Sequence, residues 1–331
     1  MSYEPEVLRR ATARFRARRE LRERERFALR QRLYEAYPDL PRLDAALRGT
    51  MAEVAEAALT GGPDAEGKLE EIKTRNLALQ RERTGLLAEA GYGPDVLDDV
   101  PACPKCRDTG WAGTRMCDCL KELCVREQAK QLSSLLDLEG QSFDTFRLDV
   151  YSDRPWPGTG RSPRQNMANI LKVCQGYAAQ FPDYPLHNLF FSGNTGLGKT
   201  FLSACVAGEV IRRGYSVVYD TAIHVFACFD ARRFARDGEQ EREARQAVDR
   251  YLNCDLLILD DLGSEATTAL VQSSLYELVN SRLGPAFRTI VSSNLSVEDV
   301  RSRYTAQTAS RLEGSFRELT FYGDDIRVMG K

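Results

Sequence analysis

Gly193-Asn194-Thr195-Gly196-Leu197-Gly198-Lys199-Thr200 is the stretch on which the fold turns. It fits G-x-x-x-x-G-K-[ST], the phosphate-binding loop of nucleoside triphosphatases. Its flanks fit as well: Leu189-Phe190-Phe191 enters as a buried strand does, and a helical pattern from Phe201 to Arg213 leaves. Glycines let successive backbone N–H groups turn inward, and the helix N-terminus adds a positive dipole end. In such a loop Lys199 reaches the β- and γ-phosphates, and the Thr200 hydroxyl binds Mg²⁺. The bland alternative, a glycine-rich turn that fits by chance, is set aside because strand, loop and helix are all in place. The stretch implies binding of a nucleoside triphosphate with Mg²⁺.

Downstream, strands alternate with helices, which predicts a parallel sheet covered on both faces, an α/β fold. Ser216-Val217-Val218-Tyr219 reads as the second strand. The third, Leu256-Leu257-Ile258-Leu259, ends in Asp260-Asp261. Four apolar residues followed by acid at a strand's carboxyl end is the Walker B arrangement. Asp260 then holds the Mg²⁺ shell, and Asp261 orients or deprotonates the attacking water. Residues Arg288 to Ser293 form the fourth strand, with Asn294 just past its end in reach of the γ-phosphate or the lytic water. Arg311 falls on a short helix, and Arg327 follows an edge strand from Phe316 to Phe321. A single arginine is usually a surface charge, but phosphoryl transfer needs guanidinium groups near the γ-phosphate, from the same chain or a neighbour.

The 331 residues suffice for two domains, and the formal charge of −2 hides a local excess. Eleven arginines lie between Arg9 and Arg32, against Glu20, Glu23 and Glu25. Residues 4–90 read as three helices: one to about Tyr37, one from Leu43 to Leu59 stopped by Gly61-Gly62-Pro63, and one from Glu66 to Ala90. The third carries Leu69, Ile72, Asn76, Leu79, Arg83 and Leu86 along one seam, which suggests a docked helix in a short hairpin. The arginine-rich helix is open to three readings: a solvated face, a nucleic-acid contact, or a docking surface for an acidic partner. No run of eighteen apolar residues exists to span a membrane, and the N-terminus has no apolar signal core, which predicts a cytoplasmic protein.

Nine cysteines without a secretory signal argue against a disulfide framework. Cys103-Pro-Lys-Cys106 and Cys117-Asp-Cys119 are two close pairs, the layout of a zinc knuckle, with Cys124 a substitute for Cys119. A redox pair and an iron–sulfur cluster compete with zinc. The only histidines, His187 and His224, are distant, so the site is all cysteine. Cys174, Cys205, Cys228 and Cys254 sit among apolar neighbours as packing residues. The expected organisation is a helical partner-binding domain over 1–140 with a knuckle at about 103–124, a linker over 141–165, and an ATPase domain over 166–331. A helix is expected over 125–140, and another from Asn166 to Gln180.

From residue 143 onward the chain resembles the AAA+ ATPases of the DnaC/DnaI type, the bacterial replicative-helicase loaders. The likeness rests on Phe143-Asp-Thr-Phe146, the phosphate loop, Leu256-Leu-Ile-Leu-Asp-Asp-Leu-Gly263, Ser292-Ser-Asn294, Ser310-Arg-Leu312 and Asp325-Ile-Arg327. Cys103-Pro-Lys-Cys-Arg-Asp-Thr-Gly-Trp111 resembles the zinc-bearing segment of the DnaI-like branch. The resemblance implies a five-stranded AAA+ core with ATP bound between neighbouring subunits of a self-assembled ring or spiral. It implies that Asn294 is the sensor-1 residue, Arg311 the finger offered to a neighbour, and Arg327 the sensor-2 residue in its own chain. It also implies single-stranded DNA in a central channel and an N-terminal domain bound to a DnaB-type helicase. One departure is Asp261, where many AAA+ proteins carry glutamate; the shorter acid points to slow hydrolysis.

The function expected is ATP-dependent loading of a replicative ring helicase onto single-stranded DNA. An IstB-like transposition helper shares the ATPase core but generally lacks a cysteine knuckle. A metabolic kinase has no use for Asn294, Arg311 and Arg327 at these positions, and a scaffold that binds ATP without turnover is the fourth reading.

Overall fold

The computed structural model describes residues 3–60, 65–133, 135–138, 140–236, 238–284 and 287–329. Packing divides the chain into two compact units, residues 13–117 and residues 1–12 with 118–331.

The unit of residues 13–117 is built on helices α1 (Pro5–Ala36, whose first turns belong to the other unit), α2 (Asp39–Thr60) and α3 (Ala65–Glu89). A small antiparallel hairpin, β1 (Trp111–Ala112) with β2 (Arg115–Met116), was not legible in the sequence. Helix α2 starts at Asp39 rather than Leu43, because Pro41 falls within the first turn, where a missing N–H costs nothing. The Gly61-Gly62-Pro63 stop lies outside the described residues. Helices α2 and α3 pack along each other as the expected hairpin, and all six seam residues of α3 are partly or fully buried. The two polar members have partners: Asn76 Nδ2 donates to Thr50 Oγ1 at 2.5 Å, and Arg83 donates to Asp44 at 2.7 Å and Asp98 at 2.9 Å. Leu33, Leu40, Leu87 and Leu97 form the small core beside them.

The arginines of α1 divide between two uses. Arg10, Arg19 and Arg24 pair with glutamates one turn away, whereas Arg22 reaches Asp108 at 2.7 Å and Arg30 donates to the Leu97 carbonyl at 2.7 Å. The solvated reading therefore holds only for part of this helix.

The larger unit begins with α4 (Asp118–Ser133) and α5 (Pro163–Ala179). It continues as β3 (Asn188–Ser192), α6 (Lys199–Arg212), β4 (Val217–Thr221), α7 (Ala222–Phe234), α8 (Gly238–Asn253), β5 (Leu256–Leu262) and α9 (Ala269–Arg282). It closes with β6 (Arg288–Ser293), α10 (Val297–Arg303), α11 (Ala306–Ser315), β7 (Phe316–Thr320) and α12 (Ile326–Met329). The five long strands form one parallel sheet in the order β4-β5-β6-β3-β7, with β7 at the edge as expected. Period-two alternation sorts their side chains into two layers. Leu189, Phe191, Ile258 and Ile290 face a core shared with α5 and α6; Phe190, Leu257, Leu259 and Val291 face one shared with α7, α8 and α9. Such double coverage is why these strands read as continuous apolar runs.

Three boundaries differ from expectation. Residues 118–138 pack with the larger unit, since Leu132 and Leu136 enter its core and Gln128 Nε2 donates to the Val217 carbonyl at 3.0 Å. So do the first residues: Tyr3, Val7 and Ala11 are buried, and the Tyr3 hydroxyl donates to the Gly214 carbonyl at 2.7 Å. The stretch expected as a linker is anchored too, with Tyr151 buried and Phe143 and Phe146 packed on the core. Helix α5 starts at Pro163 because Ser162 and Gln165 form a capping box with proline in the first turn.

Arg282 is internal. It is 1% exposed and spends its donors on Thr289 Oγ1 and the carbonyls of Tyr251, Leu252, Cys254 and Arg288, at 2.7 to 3.1 Å. A buried guanidinium is tolerable only when its donors are met in this way.

Candidate functional site

The phosphate loop runs from the carboxyl end of β3 into α6, at the mouth of the sheet. Gly196 and Gly198 both take positive φ, 76° and 91°, and Gly198 caps α6, so its first N–H groups are left free for an anion. Asn194 and Thr195 are exposed on the loop, while Leu197 is a buried anchor whose carbonyl accepts from the Tyr151 hydroxyl at 3.1 Å. The Lys199 ammonium folds back onto the carbonyls of Gly193 and Asn194, at 2.6 and 2.7 Å. Burial lowers its pKa, against the pull of Asp260 and Asp261.

The chain beyond β7 clasps the same loop. Phe321 N–H donates to the Ser192 carbonyl at 2.7 Å, and Ile326 N–H to the Gly196 carbonyl at 3.1 Å. A side chain at Gly196 would collide with the Asp325 carboxylate, which also accepts from the Arg327 N–H at 2.9 Å. Arg327 thereby enters the field of the cradle: it acts on the protonation of both Lys199 and Asp261.

Strand β5 does not end at Leu259, as expected, but runs to Leu262 through a shift in its pairing with β6. Alternation puts Asp260 on the face of Ile258, toward α6, where its Oδ2 accepts from Thr200 Oγ1 at 3.0 Å. Asp261 would by the same rule face the opposite layer. The irregularity gives it a φ of 54°, a left-handed conformation that aspartate tolerates, and brings it within the influence of Lys199 and Arg327. Desolvation, then the charge of Asp260, raises the Asp261 pKa above the ordinary carboxylate value, while Lys199 and Arg327 oppose that shift. A raised value suits a general base.

Asn294 follows the last residue of β6 and faces Gly263, just beyond β5. The loop holding Gly263 is pinned by buried Glu265, which accepts from the Gly263 N–H at 3.1 Å and from the Tyr304 hydroxyl. Arg311 is placed differently. It lies on α11, stacks over the Tyr276 ring at 5.0 Å and donates to the Tyr276 hydroxyl at 2.8 Å. The structure thus gathers Lys199, Thr200, Asp260, Asp261 and Arg327 in one place, while Arg311 is engaged with Tyr276. Thr200 and Asp260 are a pair of hard oxygen donors of the kind Mg²⁺ takes.

Sequence reasoning missed Tyr219, whose hydroxyl donates to Asp260 Oδ2 at 2.7 Å. Burial and the Asp260 charge push its pKa well up, so it remains a donor. The signal was available only once the strand order was known, because β4 neighbours β5.

The cysteines form a second candidate centre. The sulfurs of Cys103, Cys106, Cys117 and Cys119 lie within 4.8 Å of one another, and Cys103 Sγ is 3.7 Å from Cys117 Sγ. Four sulfurs about 2.3 Å from one tetrahedral ion would stand about 3.8 Å apart, so the residues fit zinc. Cys119 belongs to the group and Cys124 does not: Cys124 is fully buried in α4, and burial pushes its thiol up to about 11. Asp108 braces the site by accepting from the backbone N–H groups of Ala102 and Cys103, at 3.0 and 2.9 Å, and from Arg22. Cys174, Cys205 and Cys254 are buried as packing residues, and Cys228 is half-buried. The prediction is one equivalent of zinc per chain in protein purified without chelators. Cys103→Ser or Cys106→Ser should release it and expose residues 103–119 to protease, while the larger unit keeps its melting temperature. A chain free of zinc with all four thiols intact would support the redox reading instead.

Comparison with known proteins follows this geometry. The family described as IstB-like ATP binding protein matches residues 181–310. The replicative helicase loader DnaC of Escherichia coli (strain K12) is 25% identical over 170 residues, spanning 50% of this chain and 67% of the loader. Residues 181–310 thus resemble an IstB-like ATP-binding domain. A Pseudomonas fluorescens protein described as an ATP-binding protein of insertion sequence IS1162 is 33% identical to this chain over 110 residues, 33% of this chain and 44% of the relative. The crystal structure of DnaI aligns with a TM-score of 0.44 and 18% identity, over 58% of this chain and 93% of that one. Among the described residues no helix is long and apolar enough to cross a membrane.

Proposed function

We propose that this chain is an ATP-dependent assembly factor that loads a replicative ring helicase onto single-stranded DNA. The observation that carries the reading is the pairing of a stretch matched by the IstB-like ATP-binding family with a separate helical unit and a four-cysteine cluster. A transposition helper needs the first; the second suits a protein that must also hold a partner.

In this reading Lys199 and the loop amides bind the β- and γ-phosphates, and Thr200 with Asp260 would hold Mg²⁺, which supplies charge neutralisation when bound. Asp261 takes the proton of the attacking water, Asn294 orients that water, and Arg327 senses the γ-phosphate within the chain. Arg311 serves a neighbouring copy in a self-assembled ring or spiral. Phe234, 66% exposed at the end of α7 beside exposed Arg233 and Arg236, offers a ring for base stacking and charges for phosphates, the combination that grips single strands. The α2–α3 hairpin is the helicase-docking element, with Val54 and Leu77 exposed on it at 43% and 45%.

The test uses the intact chain and a purified DnaB-type helicase. Removing residues 1–90 would also strip Tyr3, Val7 and Ala11 from the larger unit, so a surface change is cleaner. Leu77→Asp should reduce helicase capture at least about tenfold and leave ATP turnover unchanged, as expected when an apolar anchor of an interface is lost. A wild-type chain that ignores the helicase would sink the loader reading. The second reading, an IstB-like transposition helper, has the matched family and the insertion-sequence relative in its favour. Capture of a transposase in place of the helicase is its signature.

A further inference from the structure

Asp260 is 1% exposed and accepts three hydrogen bonds. The backbone N–H of Asp261 takes Oδ1 at 3.0 Å, while Thr200 Oγ1 at 3.0 Å and the Tyr219 hydroxyl at 2.7 Å share Oδ2. Tyr219 arrives from the neighbouring strand. It pairs with Ile258 in the β4–β5 register, and period-two alternation places Asp260 on the face of Ile258, one step further along.

The two donors on Oδ2 do different things. A threonine hydroxyl can give its proton to Asp260 and turn a lone pair toward a cation. The tyrosine hydroxyl fixes which carboxylate oxygen faces Thr200, and it occupies the lone pair through which that oxygen would otherwise swing onto the cation. Mg²⁺ needs near-octahedral geometry with oxygens at about 2.0–2.1 Å and keeps several waters, so an acid held one step back suits it. We propose that Tyr219 is a positioning residue that holds Asp260 as the outer-sphere partner of a Thr200-bound Mg²⁺. The proposal rests on the nucleotide-site reading above.

It makes a separable prediction, because the partner behind a metal ligand typically governs about 10–100-fold in metal affinity, and Tyr219 orients that partner. Tyr219→Phe removes the hydroxyl and keeps the ring that packs on the core. Binding of a fluorescent ATP analogue to the full chain is titrated with Mg²⁺, and in parallel with EDTA present. The expected result is a rise of at least about tenfold in the half-saturating Mg²⁺ concentration, with binding in EDTA unchanged. A variant that melts early still reports through the same pair of curves. A Mg²⁺ requirement within about twofold of wild type overturns the proposal. So does an equal loss of binding in EDTA, which assigns the hydroxyl to the fold. If the wild-type chain binds the analogue under neither condition, the nucleotide-site reading itself fails, and the proposal with it.

Discussion

Lys199→Ala should weaken nucleotide binding by at least roughly a hundredfold and abolish turnover, while the fold stands. The estimate follows from charge-assisted hydrogen bonds at about 1.5–3 kcal/mol each, two of them lost, with about 1.4 kcal/mol per factor of ten. The lysine now bonds the carbonyls of Gly193 and Asn194 at 2.6 and 2.7 Å, so its ammonium already sits over the loop that would receive phosphate. Removing it leaves those two carbonyls without this donor, a modest structural cost at the rim of the sheet. Isothermal titration with ATP, with the melting temperature as control, makes the measurement. Wild-type affinity in the variant would refute the phosphate-loop assignment.

Arg311→Ala should bind ATP as the wild type does and lose about a thousandfold or more in turnover, the usual effect of removing an arginine finger. Within one chain Arg311 is engaged with Tyr276 on α9, whereas Arg327 acts on both Lys199 and Asp261. In the proposed ring or spiral, this arginine serves another copy. Mixing the Arg311→Ala chain with the Lys199→Ala chain tests this directly. The second chain lends its arginine to the intact cradle of the first, so part of the activity should return. A co-assembled mixture that stays inactive at every ratio would assign Arg311 to its own chain, or to no catalytic role.

The sequence made the sheet and its mouth legible because both depend on local pattern. Leu189-Phe190-Phe191 and Leu256-Leu257-Ile258-Leu259 are buried on both faces, so their apolar runs announce central strands, and the glycines between β3 and α6 have a single purpose. What depends on strand order was hidden. Tyr219 meets Asp260 only because β4 lies beside β5, and Asp325 meets Gly196 only because β7 runs parallel beside β3 and brings the chain after it to the phosphate loop. The left-handed backbone of Asp261 was hidden too, since an acid after a strand is ordinary until the pairing shifts beneath it. In the smaller unit, Arg83 on a largely apolar seam made sense once Asp44 and Asp98 were found opposite it. The arginines of α1 misled by density alone, because Arg22 and Arg30 hold neighbouring loops while others stay with glutamates of their own helix.

Arg282 bears on how this chain avoids a misassembled sheet. Its donors bind the carbonyls of Tyr251, Leu252 and Cys254, just before β5 begins, and the carbonyl of Arg288 and hydroxyl of Thr289, where β6 begins. The entry points of the two central strands are therefore measured against one rigid planar group. Parallel strands with apolar side chains on both faces are weakly protected against slippage, since a shift by one residue exchanges one greasy surface for another. Here a slip of β6 along β5 would trade Ile290 for Val291 between layers at little hydrophobic penalty, but it would tear the bonds to Arg288 and Thr289 from a guanidinium that has no water to turn to. A lysine could not substitute, having three donors and no fork. The alignment that sets Asp260 beside Thr200 is thus secured at the far end of the same strand, by a residue that never meets the nucleotide.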